Sequence, residues 1–207
     1  MSPTVSPQSF SPQSSPEILS VALKEWQVAV NAIAQGDSIL LLRKGGIREA
    51  QGKFQVKYNR VWLYPTTEHQ KPELLKPEYA QGVETHPAGW HPEQVTLTAW
   101  ADVTHIIPVD QAAAVEALTP FHVWSDRLAT ERFNWKPKQP LYVLLLRAYR
   151  LETPVAIPYK SEYGGCRSWL DLDVDLATTP ATPALSDEAY QAQVKQIQQA
   201  IGERRKV

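Results

Sequence analysis

The stretch from Trp26 to Tyr79, WQVAVNAIAQGDSILLLRKGGIREAQGKFQVKYNRVWLYPTTEHQKPELLKPEY, constrains the fold more than any other part of the chain. It strings two short apolar segments, a basic Gly-Gly turn, an aromatic strand and a Pro-Thr-Thr-Glu-His-Gln loop into one run. Trp26, Val28 and Val30 alternate, which predicts a strand over Trp26–Ile33. Gln35-Gly36-Asp37 is a turn signal and Ser38–Arg43 is again apolar, so the two segments predict a hairpin. Lys44-Gly45-Gly46 breaks it, because paired glycines free the backbone. Phe54–Tyr58 alternates and fits a strand or a loop edge. Arg60–Tyr64 fits a strand ended by Pro65, and Pro72–Tyr79 a short helical turn. The run therefore predicts a fold core with a polar site at its strand ends.

The flanks complete the plan. The first residues, MSPTVSPQSFSPQSSPE, are rich in Ser, Pro and Gln, and nearly devoid of apolar side chains. Such a segment cannot offset its own ordering entropy, so residues 1–15 are expected to be a disordered tail. Ser15 with Pro16 and Glu17 predicts a helix running to about Glu25. Gln94–Val103 is a β-branched strand. Asp110 caps a helix over Gln111–Leu118, and Thr119-Pro120 caps a second over Phe121–Asn134 striped with Val123, Trp124, Leu128 and Phe133. These two helices read as an insertion or lid at residues 110–134. Pro140–Leu151, PLYVLLLRAYRL, is the clearest buried strand. Ser168–Leu172 is a further short strand, residues 177–185 a linker, and residues 186–207 a C-terminal helix capped by Ser186 and striped with Tyr190, Val194, Ile197 and Ile201. The expected fold class is α/β (α+β): a single domain over residues 16–176 with a mixed, mostly antiparallel sheet flanked by helices.

Bulk properties exclude some roles. With 207 residues and 43% hydrophobic content the chain can bury one core. A formal net charge of −1 makes the whole chain no magnet for nucleic acid or anionic lipid, although a local basic patch is allowed. Cys166 is the single cysteine, so no intrachain disulfide forms and a reducing compartment is the simpler expectation. The tail lacks the features of a secretory or transit signal and no apolar run is long enough to span a bilayer. The expected location is therefore cytoplasmic, without membrane partners.

Four constellations carry possible chemistry. Arg43, Lys44, Gly45, Gly46 and Arg48 place cations around exposed backbone N–H groups, which suits a phosphate or carboxylate; the alternative is a solvated hairpin end. Glu68 and His69, after Pro65-Thr66-Thr67, offer acid–base groups at a strand end, with His86, His91 or Glu93 as conceivable metal co-ligands; the alternative is a polar loop. Arg147 and Arg150 sit on a buried strand, pointing to opposite faces, and either line a pocket or pair with carboxylates. Gly164, Gly165, Cys166 and Arg167 form a second Gly-Gly loop. The favoured reading is close backbone approach at the glycines, Arg167 as a pocket cation and Trp169 as packing, with a Cys166 nucleophile as the alternative. Trp90 and Trp135 stand among prolines and basic residues; the favoured reading is a core or loop anchor, with one of them stacking on a base or sugar as the alternative.

The segments LLLRKGGIRE, VWLYPTTEHQ, LKPEY, RFNWKPKQPLYVLLLRAYRL and YGGCRSW together resemble the family known as domain of unknown function 1802, over roughly Leu23 to Leu172. The resemblance implies no established activity. It implies an association with restriction–modification systems, because related domains occur joined to restriction-endonuclease-type domains. The order of strands around VAVNAIAQGDSILLLRK, VWLYPT, TLTAW, YVLLLRAYRL and CRSWLDL is also similar to that of Nudix hydrolases, but the paired-Glu helix of the Nudix box is absent and Pro72 and Pro77 interrupt its place.

The leading expectation is a non-hydrolytic module that binds a phosphorylated ligand or nucleic acid through the two Gly-Gly loops, with a restriction–modification protein as the partner that the family resemblance implies. The alternatives are a nucleotide-acting hydrolase using Glu68 and His69, and a protein–protein scaffold. No cofactor is indicated.

Overall fold

The computed structural model of the chain describes residues 18–44, 47–50, 53–81, 83–87, 89–178 and 180–204. The expected tail at residues 1–15 lies outside them. The first element is a strand, β1 (Ile18–Trp26), where a helix was expected from the Ser15-Pro16-Glu17 signal. Tertiary pairing overrides that local signal. β1 is hydrogen-bonded on both sides, parallel to β5 (Arg60–Thr66) and antiparallel to β8 (Trp169–Ala177).

Trp26–Ile33 is the second correction. It forms a helix, α1 (Gln27–Gln35), with Ala29, Val30, Ala32, Ile33 and Ala34 buried. Those positions fit a 3.6-residue period as well as a two-residue one over so short a window, and length did not arbitrate. Gly36 ends the helix in the left-handed region at φ 85°, and the N–H groups of Asp37 and Ser38 close on the Ala32 carbonyl. The expected hairpin therefore does not form. β2 (Leu40–Arg43) pairs antiparallel with β7 (Leu141–Pro158). The strand order behind the likeness to Nudix hydrolases falls with the hairpin, since VAVNAIAQ is helical.

The main sheet runs β2-β7-β6-β5-β1-β8, with β6 spanning Gln94–Val109 and β9 (Ala181–Pro183) added to β7. Among the described residues β1 and β5 are its single parallel pair. The sheet is mixed and mostly antiparallel, as expected. β3 (Ile47–Ala50) and β4 (Lys53–Val56) form a separate two-stranded ribbon. β5 continues through Pro65 to Thr66, β7 runs well past Leu151, and the expected linker contributes β9.

A 3-10 turn at Pro72–Leu74 and a short helix, α2 (Pro77–Ala80), follow β5. Between β6 and β7 stand α3 (Ala112–Ala117) and α4 (Asp126–Asn134). The longer second helix expected from Thr119 splits into a 3-10 turn at Thr119–Phe121 and α4, whose N-cap is Ser125 accepting from the Leu128 N–H. The last helix, α5 (Asp187–Arg204), buries Tyr190, Val194, Ile197 and Ile201.

The two faces of the sheet bury different cores. Leu23, Val61 and Leu63 join α1, α3, α4 and α5 in the larger one. The alternate residues Ala22, Trp62 and Tyr64 join Val95, Leu97, Trp100, Ile157, Tyr163 and Leu170 in the smaller. Residues alternate between faces because a strand has a period of two.

His122 lies in the larger core's rim at 2% exposure, with neither ring nitrogen hydrogen-bonded. Burial, then the charge of Lys76, pushes its pKa down to about 4, against weaker opposing pulls from the Trp124 backbone and then Asp126. The unfolded chain, with His near 6.5, binds the proton first as pH falls. Stability is thus fully present above about pH 6.5 and is lost progressively down to about pH 4. Urea denaturation across that window should show the decline in the wild type, and His122→Leu should flatten it. Equal slopes in both would count against the assignment.

A cleft at the ends of two parallel strands

Parallel pairing brings the C-terminal ends of β1 and β5 to one edge of the sheet, with Lys24 beside Tyr64 and Trp26 beside Thr66 in the ladder. Antiparallel pairing brings the start of β6 and the end of β7 to the same edge, where Gln94 faces Pro158. These ends surround a cleft of about 230 Å3. Its walls include Lys24, Gln27, Tyr64, Glu68, Thr96 and Tyr159, with His86, Trp90 and His91 from the loop before β6.

At its floor, the Lys24 ammonium donates to Glu68 Oε2 at 2.6 Å, to the Tyr163 carbonyl at 2.8 Å and to the Gly165 carbonyl at 3.0 Å. All three of its protons are used, and its side chain is 5% exposed. A lysine this buried needs such partners, since an unpaired ammonium would be costly. Glu68 is steadied in turn by the Gly165 N–H at 3.4 Å and by a turn in which its own N–H donates to Thr66 Oγ1. Gln70 bends the other way and caps α1, accepting from the Val28 N–H at 3.1 Å. His69 sits between them at φ 60°, exposed, and does not line the cleft.

The second Gly-Gly loop is thus held to the first strand's end. A Cβ at Gly164 would meet the Tyr159 hydroxyl at 2.7 Å and the Ser161 carbonyl at 3.2 Å, so a side chain there would displace the Tyr159 ring. Gly165 adopts φ 74°. Cys166 and Arg167 are exposed beyond the loop. Trp169 packs edge-on to Tyr58.

Arg43 and Lys44 point into the protein. Arg43 pairs with buried Glu25 at 3.2 Å and donates to the Lys24 carbonyl at 2.7 Å and Ser168 Oγ at 3.1 Å. Lys44 donates to the Phe133 carbonyl at 2.6 Å, where a cation suits the C-terminal end of α4. Gly45 and Gly46 lie outside the described residues, and Arg48 is placed by its backbone on β3, opposite Gln55. Arg147 pairs with Asp187 at 2.7 Å, which ties β7 to α5.

Aromatic rings dominate the cleft's upper wall. His86 stacks on Trp90 at 3.5 Å between centroids, and His91 stacks on Tyr159 at 4.0 Å. The Tyr64 hydroxyl is buried without a hydrogen-bond partner. Its pKa is pushed well above the ordinary phenol value, first by burial and then by Tyr159, Tyr163 and Glu68, so it stays a neutral hydroxyl. Among the described residues no group of three or more His, Cys, Asp or Glu side chains is placed to hold a metal ion. No described helix is long and apolar enough to cross a membrane. The sequence pointed to Glu68, Gly164 and Gly165. It missed Lys24 and Tyr64, whose role appears only when β1 and β5 pair.

A family model described as "Domain of unknown function (DUF1802)" matches residues 22–196. The chain belongs to the DUF1802 family. Among solved structures, the crystal structure of ASCH from Zymomonas mobilis is similar at 14% identity, covering 84% of this chain and 93% of that one, with a TM-score of 0.44. A serine-to-alanine mutant of the same protein is similar at 14% identity, covering 87% and 98%, with a TM-score of 0.42. A search of the curated proteins finds no match. Neither the family description nor these structures speak to restriction–modification or to Nudix chemistry.

If Lys24 and Glu68 form one unit, their substitutions will not add. Lys24→Met and Glu68→Gln should each cost about 1–3 kcal/mol in urea denaturation, toward the lower end because Glu68 is partly solvated. The double variant should cost clearly less than the sum. Strict additivity would dissolve the pair as an energetic unit.

Proposed function

We propose that this chain is a non-hydrolytic module that binds single-stranded nucleic acid by taking one base into the cleft. One observation carries the reading: a cleft of about 230 Å3 walled by two ring stacks and floored by a satisfied ion pair. Sites for whole drug-sized ligands run about 300–1,000 Å3, so this volume suits a single planar ring system with its backbone outside. Rings stack on any base face, which supplies affinity. Lys24 and Glu68 are committed to each other and to the Gly164–Gly165 loop, which suits a fixed frame for recognition. Arg167, exposed two residues beyond Gly165, is the cation assigned here to a flanking phosphate.

The test is fluorescence anisotropy with labelled single-stranded RNA and DNA octanucleotides over a range of salt. Binding should weaken as salt rises. Trp90→Ala should weaken it roughly five- to hundred-fold, the worth of one lost base stack. Absence of binding to both polymers, or an unchanged affinity in the Trp90 variant, would overturn the reading.

A further inference from the structure

Trp135 is 57% exposed, and among the described residues Trp90, at 42%, is the other large aromatic that the core leaves in solvent. It follows the last turn of α4, its N–H donating to the Glu131 carbonyl. Lys136 lies over its ring at 4.3 Å, and Lys138 follows, exposed. The segment RFNWKPK, residues 132–138, holds Arg132, Lys136 and Lys138 and no acid. Among the described residues no carboxylate pairs with Lys136 or Lys138.

This patch is joined to the cleft by contacts. The Arg132 guanidinium lies over the Trp26 ring at 6.0 Å and over Trp124 at 4.7 Å, and it approaches Glu25 at 3.9 Å. Trp26 stands between Lys24 and Gln27, both cleft residues. The end of α4 is further fixed there by Lys44 on the Phe133 carbonyl and by Arg132 on the Leu42 carbonyl at 3.0 Å. From Arg132 to Trp135 is about one helical turn, a rise of roughly 5 Å. The patch thus reaches the C-terminal end of β1 through Arg132 and Trp26.

We infer that Trp135, Lys136 and Lys138 form a second contact for the same single strand, with Trp135 stacking on a base several nucleotides from the one in the cleft and the two lysines meeting the phosphates between. The inference rests on the nucleic-acid reading of the cleft. An exposed tryptophan beside cations that no carboxylate neutralises has the chemistry of a stacking platform on an electrostatic track. A protein partner would instead favour a wider apolar surface around the tryptophan, and here lysines and prolines surround it.

The experiment compares a labelled mononucleotide with labelled single-stranded octanucleotides, RNA and DNA, on the wild type, Trp90→Ala, Trp135→Ala and the double variant Lys136→Gln/Lys138→Gln. Trp135→Ala should weaken octanucleotide binding roughly five- to hundred-fold and leave mononucleotide binding unchanged. The lysine double variant should lower the salt slope for the octanucleotide by about 1.4, at about 0.7 per phosphate contact on a single strand. All these side chains are exposed, so unaltered thermal unfolding should accompany the losses. Full octanucleotide affinity in Trp135→Ala, with Trp90→Ala still impaired, would overturn the second contact and leave the cleft reading standing. Loss of effect at Trp90 would instead sink the cleft reading, and the inference with it.

Discussion

The parallel pairing of β1 with β5 is the constraint on which the rest of the molecule depends. Every other pairing among the described strands is antiparallel. Parallel neighbours cannot be joined by a tight turn, so the chain must leave the sheet and return. It does so through α1, β2 and the β3–β4 ribbon, and α1 covers the face that β1 and β5 share. The same pairing sends both strands' last residues to one edge. There Lys24 and Glu68, far apart in the chain, close an ion pair at 2.6 Å.

Consecutive residues of β1 then serve opposite faces. Lys24 turns toward the cleft and the Gly164–Gly165 loop. Glu25 turns toward Arg43 and Arg132 beneath the helices. Arg43 comes from β2, at one end of the strand order, and reaches the Lys24 carbonyl and Ser168 beside β8, at the other end. The sheet is curved enough for a single side chain to bridge its two edges. Arg43 thus braces the site from behind, holding the backbone of the residue whose ammonium anchors the cleft floor.

The sequence made part of this legible. Long apolar strands such as YVLLLRAY and VTLTAWADV announce themselves, because burial on both faces leaves few polar positions. The α5 stripe of Tyr190, Val194, Ile197 and Ile201 was readable from its period, and Gly164 from its place in a paired-glycine turn. Short segments failed for a definite reason. VAVNAIA satisfies both periods, and ILSVALKEW follows a helix-start signal, Ser15-Pro16-Glu17, that two neighbouring strands overrule.

By itself the sequence determined the class of fold, a single mixed sheet flanked by helices, because hydrophobic periodicity and length fix which segments bury their surface. It also determined that Glu68 and the glycines at 164 and 165 sit at strand ends and turns. Only the tertiary structure decided that these belong together, that Lys24 and Tyr64 complete them, and that Arg43 and Lys44 face inward. Strand order and parallel register are set by packing between segments distant in the chain, and no local pattern encodes which distant segment a buried lysine will find.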